Sequence, residues 1–379
     1  MSMGRPILLA AGGTGGHLFP AAALAASLAK RGAEVELATD SRALKYGSDF
    51  PARAIHTFPA ATTTDAGALA KARAALTLGA GLATALVQLR RIRPRAVVGF
   101  GGYPTVPPLL AASLMRVPSV LHEQNAVMGR ANRFLSPRVN LIACGFPLKG
   151  VDRAIEPKIR VTGNPVRPSV IAAAEIPYPE VVGRRLNVLV TGGSQGARVM
   201  ADVVPAALAL LAPDERQWIR LTQQARGEDS SRVAAACARM GFPVEIAEFF
   251  ADLPARIASA HLIIGRAGAS TVSELAVIGR ASVLVPFPHA LDQDQAANAA
   301  ALASSGGAVV VPQPEFTPER LAAILKGALA APEKLAAQAA AAKSVGVPDA
   351  AERLADVVME VAGGGVGVRT KHPTHGAEK

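Results

Sequence analysis

Each half of the chain opens with the same construction: an apolar strand that turns through glycines into a helix. Pro6–Ala11 is followed by Gly12-Gly13-Thr14-Gly15-Gly16-His17 and then by an Ala/Leu-rich helical stretch from about Leu18 to Arg31. Leu186–Val190 is followed by Gly192-Gly193-Ser194-Gln195-Gly196 and a helical stretch over Ala197–Leu211. A helix that follows a strand in this way crosses back over the sheet, so successive strands run parallel. The glycines keep side chains out of the turn and let backbone N–H groups approach a ligand at the helix N-terminus. In such sheets ligands bind beyond the carboxyl ends of the strands.

The rest of the pattern extends both units. Apolar runs at Glu34–Thr39, Ile55–Phe58, Ala96–Phe100, Val120–His122 and Leu141–Cys144 continue the first. Runs at Trp218–Thr222, Val244–Ala247, Leu262–Ile264, Ser282–Val285 and Ala308–Val311 continue the second. Helical stretches, the longest from Gly67 to Arg91, lie between them. The expected fold class is α/β, two Rossmann-like doubly wound domains with a cleft between them. The expected boundaries are 1–162 for the first domain, 163–185 for a proline-containing hinge and 186–345 for the second domain. A C-terminal helix over 346–362 and a disordered Gly-rich, then basic, tail over 363–379 complete the chain.

Charge narrows the partners. The chain of 379 residues has a formal net charge of +11, which suits nucleic acid, an anionic membrane surface or an anionic substrate. Three Tyr and one Trp offer little stacking surface, which argues against nucleic acid. Cys144 and Cys237 fit no metal-ligand spacing and read as reduced thiols of a cytoplasmic protein. Met1–Arg5 runs into a strand with no signal-peptide pattern. The longest nearly uncharged apolar stretch, Ala75–Leu89, is shorter than the ~20 residues of a spanning helix. Lys71, Arg73, Arg90, Arg91, Arg93 and Arg95 flank it. That basic rim suits an anionic bilayer surface and equally suits the solvated face of a buried helix.

Several polar clusters fall where ligands would bind. Gly13-Thr14-Gly15 begins a dinucleotide fingerprint, but the third glycine position falls on Leu18, and no Gly-Lys-Ser/Thr follows for a Walker A loop. His17 is either a helix-start side chain bound to a carbonyl or phosphate, or a general base near neutral pH. Gly101-Gly102-Tyr103-Pro104 and His122-Glu123-Gln124-Asn125 each follow a strand; capping accounts for one or two of the latter four, less easily for all. Arg266–Glu274 suits an anion followed by a ribose held by Glu274, or a plain cap at Ser270 or Thr271. Asp292-Gln293-Asp294 could hold Mg²⁺ against a diphosphate, but a dipole-favoured helix start or a sugar contact fits better.

Taken together, Gly12–His17, Gly101–Pro104, His122–Val127, Thr162–Arg167, Gly192–Arg198 and Arg266–Glu274 closely resemble, in order, the motifs of the MurG family. These are the N-acetylglucosaminyltransferases of bacterial peptidoglycan synthesis, and the resemblance covers about residues 5–350. It implies a GT-B fold and an inverting transfer of N-acetylglucosamine from UDP-N-acetylglucosamine to the 4-OH of the muramoyl sugar of lipid I, giving lipid II. It implies His17 as base, with Glu123 second. Thr14, Gly15, Gly16, Asn125, Arg167, Ser194, Phe250, Ala269, Ser270, Thr271, Glu274 and Gln295 would bind the donor, and Gly101, Gly102, Tyr103 and Asn132 would face the acceptor. Phe249 and Phe250 would pack the uracil. No cofactor is required, stimulation by a divalent cation is left open, and no metal site is expected. The implied partners are both substrates, the anionic inner face of the cytoplasmic membrane and other cell-wall synthesis proteins. The sequence departs from the family pattern at Asp294-Gln295 and around Thr222-Gln223-Gln224. Two other readings stay open: another sugar-nucleotide enzyme of this fold, such as a 2-epimerase or a different lipid glycosyltransferase, and a non-catalytic UDP-sugar or membrane-surface binding protein.

Overall fold

The structure, a computed structural model, describes residues 4–12, 15–40, 50–58, 68–193, 196–288 and 293–364, with backbone alone for 68–75. The first unit runs β1 (Ile7–Ala10), α1 (Gly15–Lys30), β2 (Val35–Thr39), β3 (Ala54–Thr57), α2 (Ala68–Ile92), β4 (Ala96–Gly99), α3 (Val106–Leu114), β5 (Ser119–Glu123), α4 (Arg130–Leu135), β6 (Leu141–Cys144) and β7 (Ile159–Val161). Its strands are all parallel, in the order β3-β2-β1-β4-β5-β6-β7. The order reverses between β1 and β4, so the turns after those two strands open a crevice together. Gly12 and the start of α1 at Gly15 stand at one of them, Gly101–Gly102 at the other.

The second unit repeats the plan. It contains α5 (Pro168–Ala174), β8 (Leu186–Thr191), α6 (Arg198–Ala209), α7 (Pro213–Arg216), β9 (Ile219–Gln224), α8 (Gly227–Arg239), β10 (Val244–Ala247), α9 (Leu253–Ser259), β11 (Leu262–Gly265), α10 (Ala269–Ile278), β12 (Ala281–Leu284), α11 (Asp294–Ala303) and β13 (Ala308–Val310). Helices α12 (Pro318–Ala330), α13 (Pro332–Ser344) and α14 (Ala350–Ala362) follow. The parallel sheet runs β10-β9-β8-β11-β12-β13, with its switch point between β8 and β11. Gly192, Gly193 and Gly196 stand there with Arg266–Glu274. The central strands Ile-Leu-Leu-Ala, Ala-Val-Val-Gly and Leu-Ile-Ile-Gly are buried throughout, as strands covered by helices on both faces must be.

Four details differ from the sequence pattern. Helix α1 starts at Gly15, before Leu18, because glycines are tolerated in a first turn. Strand β5 continues through Glu123, so polar residues lie inside the sheet. Strand β7 is a short edge strand that periodicity misses. The stretch read as a hinge contains α5, whose Val170 and Ala173 join the second domain's core with Ile257, Leu275 and Ile278.

The chain crosses between domains a second time before α14. Leu354, Ala355, Val358 and Val361 pack into the first domain's core with Leu9, Leu24 and Val120. Burying the three larger side chains contributes roughly 1.5–3 kcal/mol each, so α14 ties the end of the chain to the first domain.

Candidate active site

On the first-domain wall, His17 is half-buried and its ring lies against the turn after β4. A Cβ on Gly102 would stand 3.4 Å from His17 Nε2, and one on Gly101 would stand 3.6 Å from Cε1. Both glycines have positive φ, 86° at Gly101 and 75° at Gly102. The left-handed backbone is what favours glycine at both positions, and the ring packs in ordinary contact against them. The ring's other edge meets Gln124, whose Nε2 is 3.0 Å from His17 Nδ1 and donates to the Phe100 carbonyl at 3.3 Å. Burial lowers the His17 pKa, and a ring N–H bond to the Phe100 carbonyl partly opposes this. Tyr103, 40% exposed, flanks the turn.

Behind His17 the residues after β5 form a buried scaffold. Glu123 Oε1 accepts from the Asn125 backbone N–H at 2.9 Å and from Asn125 Nδ2 at 3.4 Å. Its Oε2 accepts from the Gly129 N–H at 3.0 Å and Asn132 Nδ2 at 2.8 Å. Burial raises the Glu123 pKa, and these donors oppose the rise. This carboxylate, expected as the second candidate base, is 2% exposed and has both oxygens bonded within its own loop. His122 is fully buried and its pKa is pushed down to about 4, chiefly by burial. Asn132, expected to face the acceptor, is 5% exposed and lies behind Gly101, its Oδ1 buried without a partner.

The second-domain wall is the start of α10. Gly268 is its N-cap, and no side chain caps it, so the plain capping role for Ser270 or Thr271 is not what this helix uses. Ala269, Ser270 and Thr271 therefore present a first turn whose N–H groups and dipole suit an anion. Glu274 is buried and accepts from Arg167 Nη2 at 3.0 Å. Burial raises its pKa and the guanidinium opposes this. Arg167 in turn lies over the ring of Phe19 from α1, 4.8 Å from its centroid. The starts of α1 and α10 thus meet across the cleft through Phe19, Arg167 and Glu274.

The other expected donor residues spread around this point. Gly15 and Gly16 begin α1. Gln295 lies in the first turn of α11 and accepts from the Phe287 N–H at 3.0 Å. Phe250 is buried with the Arg256 guanidinium 4.4 Å from its ring centroid, whereas Phe249 is 72% exposed. Thr14 and Ser194 lie outside the described residues, as does Asp292 of the Asp-X-Asp triplet. Among the described residues no group of three or more His, Cys, Asp or Glu could hold a metal ion. Arg266, expected with the anion motif, instead donates to the carbonyls of Val285 and Pro286 and to Gln313 Oε1, and so fixes the loops around α10.

Sequence reasoning gave no role to several amides that organise the site. Gln224 accepts from Thr191 Oγ1 and the Gly192 N–H, and donates to the Gly193 and Glu248 carbonyls, so it shapes the second glycine turn. Asn164 donates to the Gln124 carbonyl at 2.9 Å and to Ser273 Oγ at 3.0 Å. Asn298, fully buried, accepts from the Ala126 N–H at 2.8 Å and donates to Asn125 Oδ1 at 2.9 Å and the Ala267 carbonyl at 3.3 Å. The available signal was a polar residue at i+3 from Gln295 on an otherwise Ala/Leu helix.

Away from the cleft, Leu76, Leu78 and Val87 of α2, Leu114 of α3 and Phe134 of α4 are exposed. Helix α2 packs on α3, and α3 on α4, so the three helices that carry these residues are neighbours on the first domain. No helix among the described residues is long and apolar enough to cross a membrane.

Residues 7–144 match the glycosyltransferase family 28 N-terminal domain, and residues 187–354 match the family's C-terminal domain. A protein of Methylobacterium nodulans named UDP-N-acetylglucosamine–N-acetylmuramyl-(pentapeptide) pyrophosphoryl-undecaprenol N-acetylglucosamine transferase is 56% identical over 96% of this chain and 98% of its own length. A relative of the same name from Rhizobium johnstonii is 55% identical over 94% of this chain and 95% of its own. The crystal structure of MurG from Acinetobacter baumannii superposes with a TM-score of 0.77 at 29% identity, covering 94% of this chain and all of that one. A UDP-N-acetylglucosamine 2-epimerase from Neisseria meningitidis shares the fold, with a TM-score of 0.65 at 13% identity over 93% of this chain and all of that one.

Proposed function

The chain belongs to the MurG family of glycosyltransferase family 28, and from that premise we propose how its cleft carries out the transfer. The enzyme moves N-acetylglucosamine from UDP-N-acetylglucosamine to lipid I, giving lipid II. One observation carries the mechanistic reading: the starts of α1 and α10 meet through Phe19, Arg167 and Glu274, with His17 on the same first turns of α1.

Transfer is a single inverting displacement. The muramoyl 4-OH attacks the anomeric carbon, the bond to the β-phosphate breaks, and UDP departs with the electron pair. The leaving diphosphate gains charge, which the N–H groups of Ala269–Thr271 and the α10 dipole meet without reorganising. Glu274 accepts from the two ribose hydroxyls once Arg167 leaves it for the diphosphate, while Gln295 touches the sugar and Phe250 borders the base. Gly15, Gly16 and Thr14 line the diphosphate's other side, and Ser194 and Asn125 complete the donor grip. The acceptor lies along Gly101, Gly102 and Tyr103, where a His17 Nε2 free of its proton takes the hydroxyl hydrogen. The ring's own proton is then on Nδ1, toward the Phe100 carbonyl, so the Gln124 amide, whose nitrogen donates to Nδ1 from 3.0 Å, turns away as this tautomer forms. The helix dipole and guanidinium supply the positive potential, so no resident metal is assigned, and a divalent cation would act only as a stimulant.

Lipid I and radiolabelled UDP-N-acetylglucosamine should yield a labelled lipid-linked disaccharide. Labelled free N-acetylmannosamine, or bound donor with no transfer, would overturn the reading.

The enzyme works at the inner face of the cytoplasmic membrane. Leu76, Leu78, Val87, Leu114 and Phe134 provide an apolar contact, and the exposed Arg90, Arg91 and Arg93 lie beside it. Each basic residue near an anionic surface contributes about 1 kcal/mol. Replacing all three by Gln should therefore weaken co-sedimentation with phosphatidylglycerol vesicles by roughly 100-fold. Unchanged sedimentation would remove this face from the contact.

A further inference from the structure

We infer that Asn298 is a positioning residue for the transfer, a clasp that holds the acceptor side of the cleft in register with the donor side. The inference rests on the cleft reading above, and it concerns a residue that touches neither substrate.

Asn298 belongs to α11 of the second domain and has no exposed surface. Its amide makes three hydrogen bonds to two other segments. The oxygen accepts from the Ala126 N–H, and the nitrogen donates to Asn125 Oδ1, both in the first domain. The nitrogen's other bond goes to the Ala267 carbonyl, just before the α10 N-cap at Gly268. One side chain therefore fixes the loop after β5, the approach to the diphosphate-facing helix and its own helix, on which Gln295 stands one turn earlier. Asn164 holds the same loop from the other side, through the Gln124 carbonyl and Ser273 of α10.

That loop is the support of His17. Gln124, whose carbonyl Asn164 grips, sends its side-chain amide to within 3.0 Å of His17 Nδ1. The mechanical chain runs from α10 and α11 through Asn298 to Asn125 and Ala126, then to Gln124 and His17. Neither domain can shift at this point without breaking buried hydrogen bonds, and each such loss leaves an unsatisfied amide or carbonyl. Domain movement must therefore pivot about the clasp. A misplacement of about 1 Å between reacting groups costs on the order of 100-fold in rate.

The test combines Asn298→Ala, Asn125→Ala and the double variant. Asn298→Ala should lower kcat at least ~10-fold, within the cost of such misplacement. UDP affinity of Asn298→Ala, measured by calorimetry, should change less than threefold, because Asn298, unlike its partner Asn125, is no part of the nucleotide grip. The two substitutions remove one shared bond, so the double variant's kcat should fall clearly short of the product of the single effects. Small-angle scattering should show a wider mean opening of ligand-free Asn298→Ala than of the wild type. Multiplicative effects, or an unchanged kcat or a lost UDP affinity in Asn298→Ala, would each overturn the clasp. If Asn298→Ala fails to fold, Asn298→Ser, smaller and still polar, carries the same comparisons. If wild-type enzyme transfers no sugar to lipid I, the cleft reading fails, yet UDP affinity and scattering still decide whether Asn298 holds the domains.

Discussion

Replacing His17 by alanine is expected to lower kcat at least ~100-fold, the ordinary cost of losing a general base, while UDP-N-acetylglucosamine binding survives. The binding half follows from the proposed geometry: His17 lies against Gly101–Gly102, whereas the donor is assigned chiefly to the starts of α10 and α11. Burial holds the ring below its usual pKa of 6.5. A base must be unprotonated, so the acid limb of kcat/KM should fall below pH 6.5, and this limb should vanish in the variant. The same shift has a sign for stability. Between the folded pKa and 6.5 the unfolded chain binds the proton and the folded one does not, so stability rises with pH across that window and is lost as pH falls. With donor and acceptor analogues bound, nitrogen-15 shifts should report the ring proton on Nδ1, moved from the Nε2 position that the Gln124 amide favours. A proton on Nε2 would instead make His17 a donor to the diphosphate, and near-normal turnover of the variant would end the base assignment.

The largest loss of stability should follow Arg280→Met. Arg280 is 1% exposed and faces carbonyls rather than a carboxylate. Its guanidinium donates to Ile278 and Gly279 at the end of α10, to Ala258 at the end of α9, and to Ile176 and Pro177 of the segment after α5. Two helix C-termini thus find a cation where their dipoles favour one, and the segment after α5 is pinned to the second domain. Methionine fills similar space but donates nothing. Each stranded carbonyl costs ~1–3 kcal/mol, so a loss above ~5 kcal/mol is expected, comparable to a whole domain's stability. Urea unfolding followed by Trp218, the chain's single tryptophan, measures it directly. A loss under ~1 kcal/mol would show that water reaches these carbonyls. Lysine should not rescue, because one ammonium cannot reach carbonyls on three segments.

Much of this protein was legible as local pattern. The strand–glycine–helix starts, the apolar strands and the two switch-point turns all depend on neighbours a few residues apart, which periodicity and glycine placement report. The same holds for His17 and for the α10 start, whose positions follow from being the first residues after a strand. Strand β7 escaped because three residues with mixed burial carry no clear period. Helix α14 was legible as a helix, but its docking on the first domain depends on residues more than 300 positions away in the chain, such as the Arg31–Asp356 ion pair.

What the sequence by itself determined is the fold class and the kinds of groups offered to the cleft. Only the tertiary structure decided what those groups are free to do. Glu123 looks like a free acid in the chain and is a filled carboxylate in the fold. Arg266 looks like an anion ligand and is spent on carbonyls. Asn298 looks like an ordinary polar helix residue and joins two domains. The physical reason is common to all three. A side chain's identity sets which hydrogen bonds it can make, but a buried group must satisfy them with whatever packing brings near, and those partners lie far away along the chain.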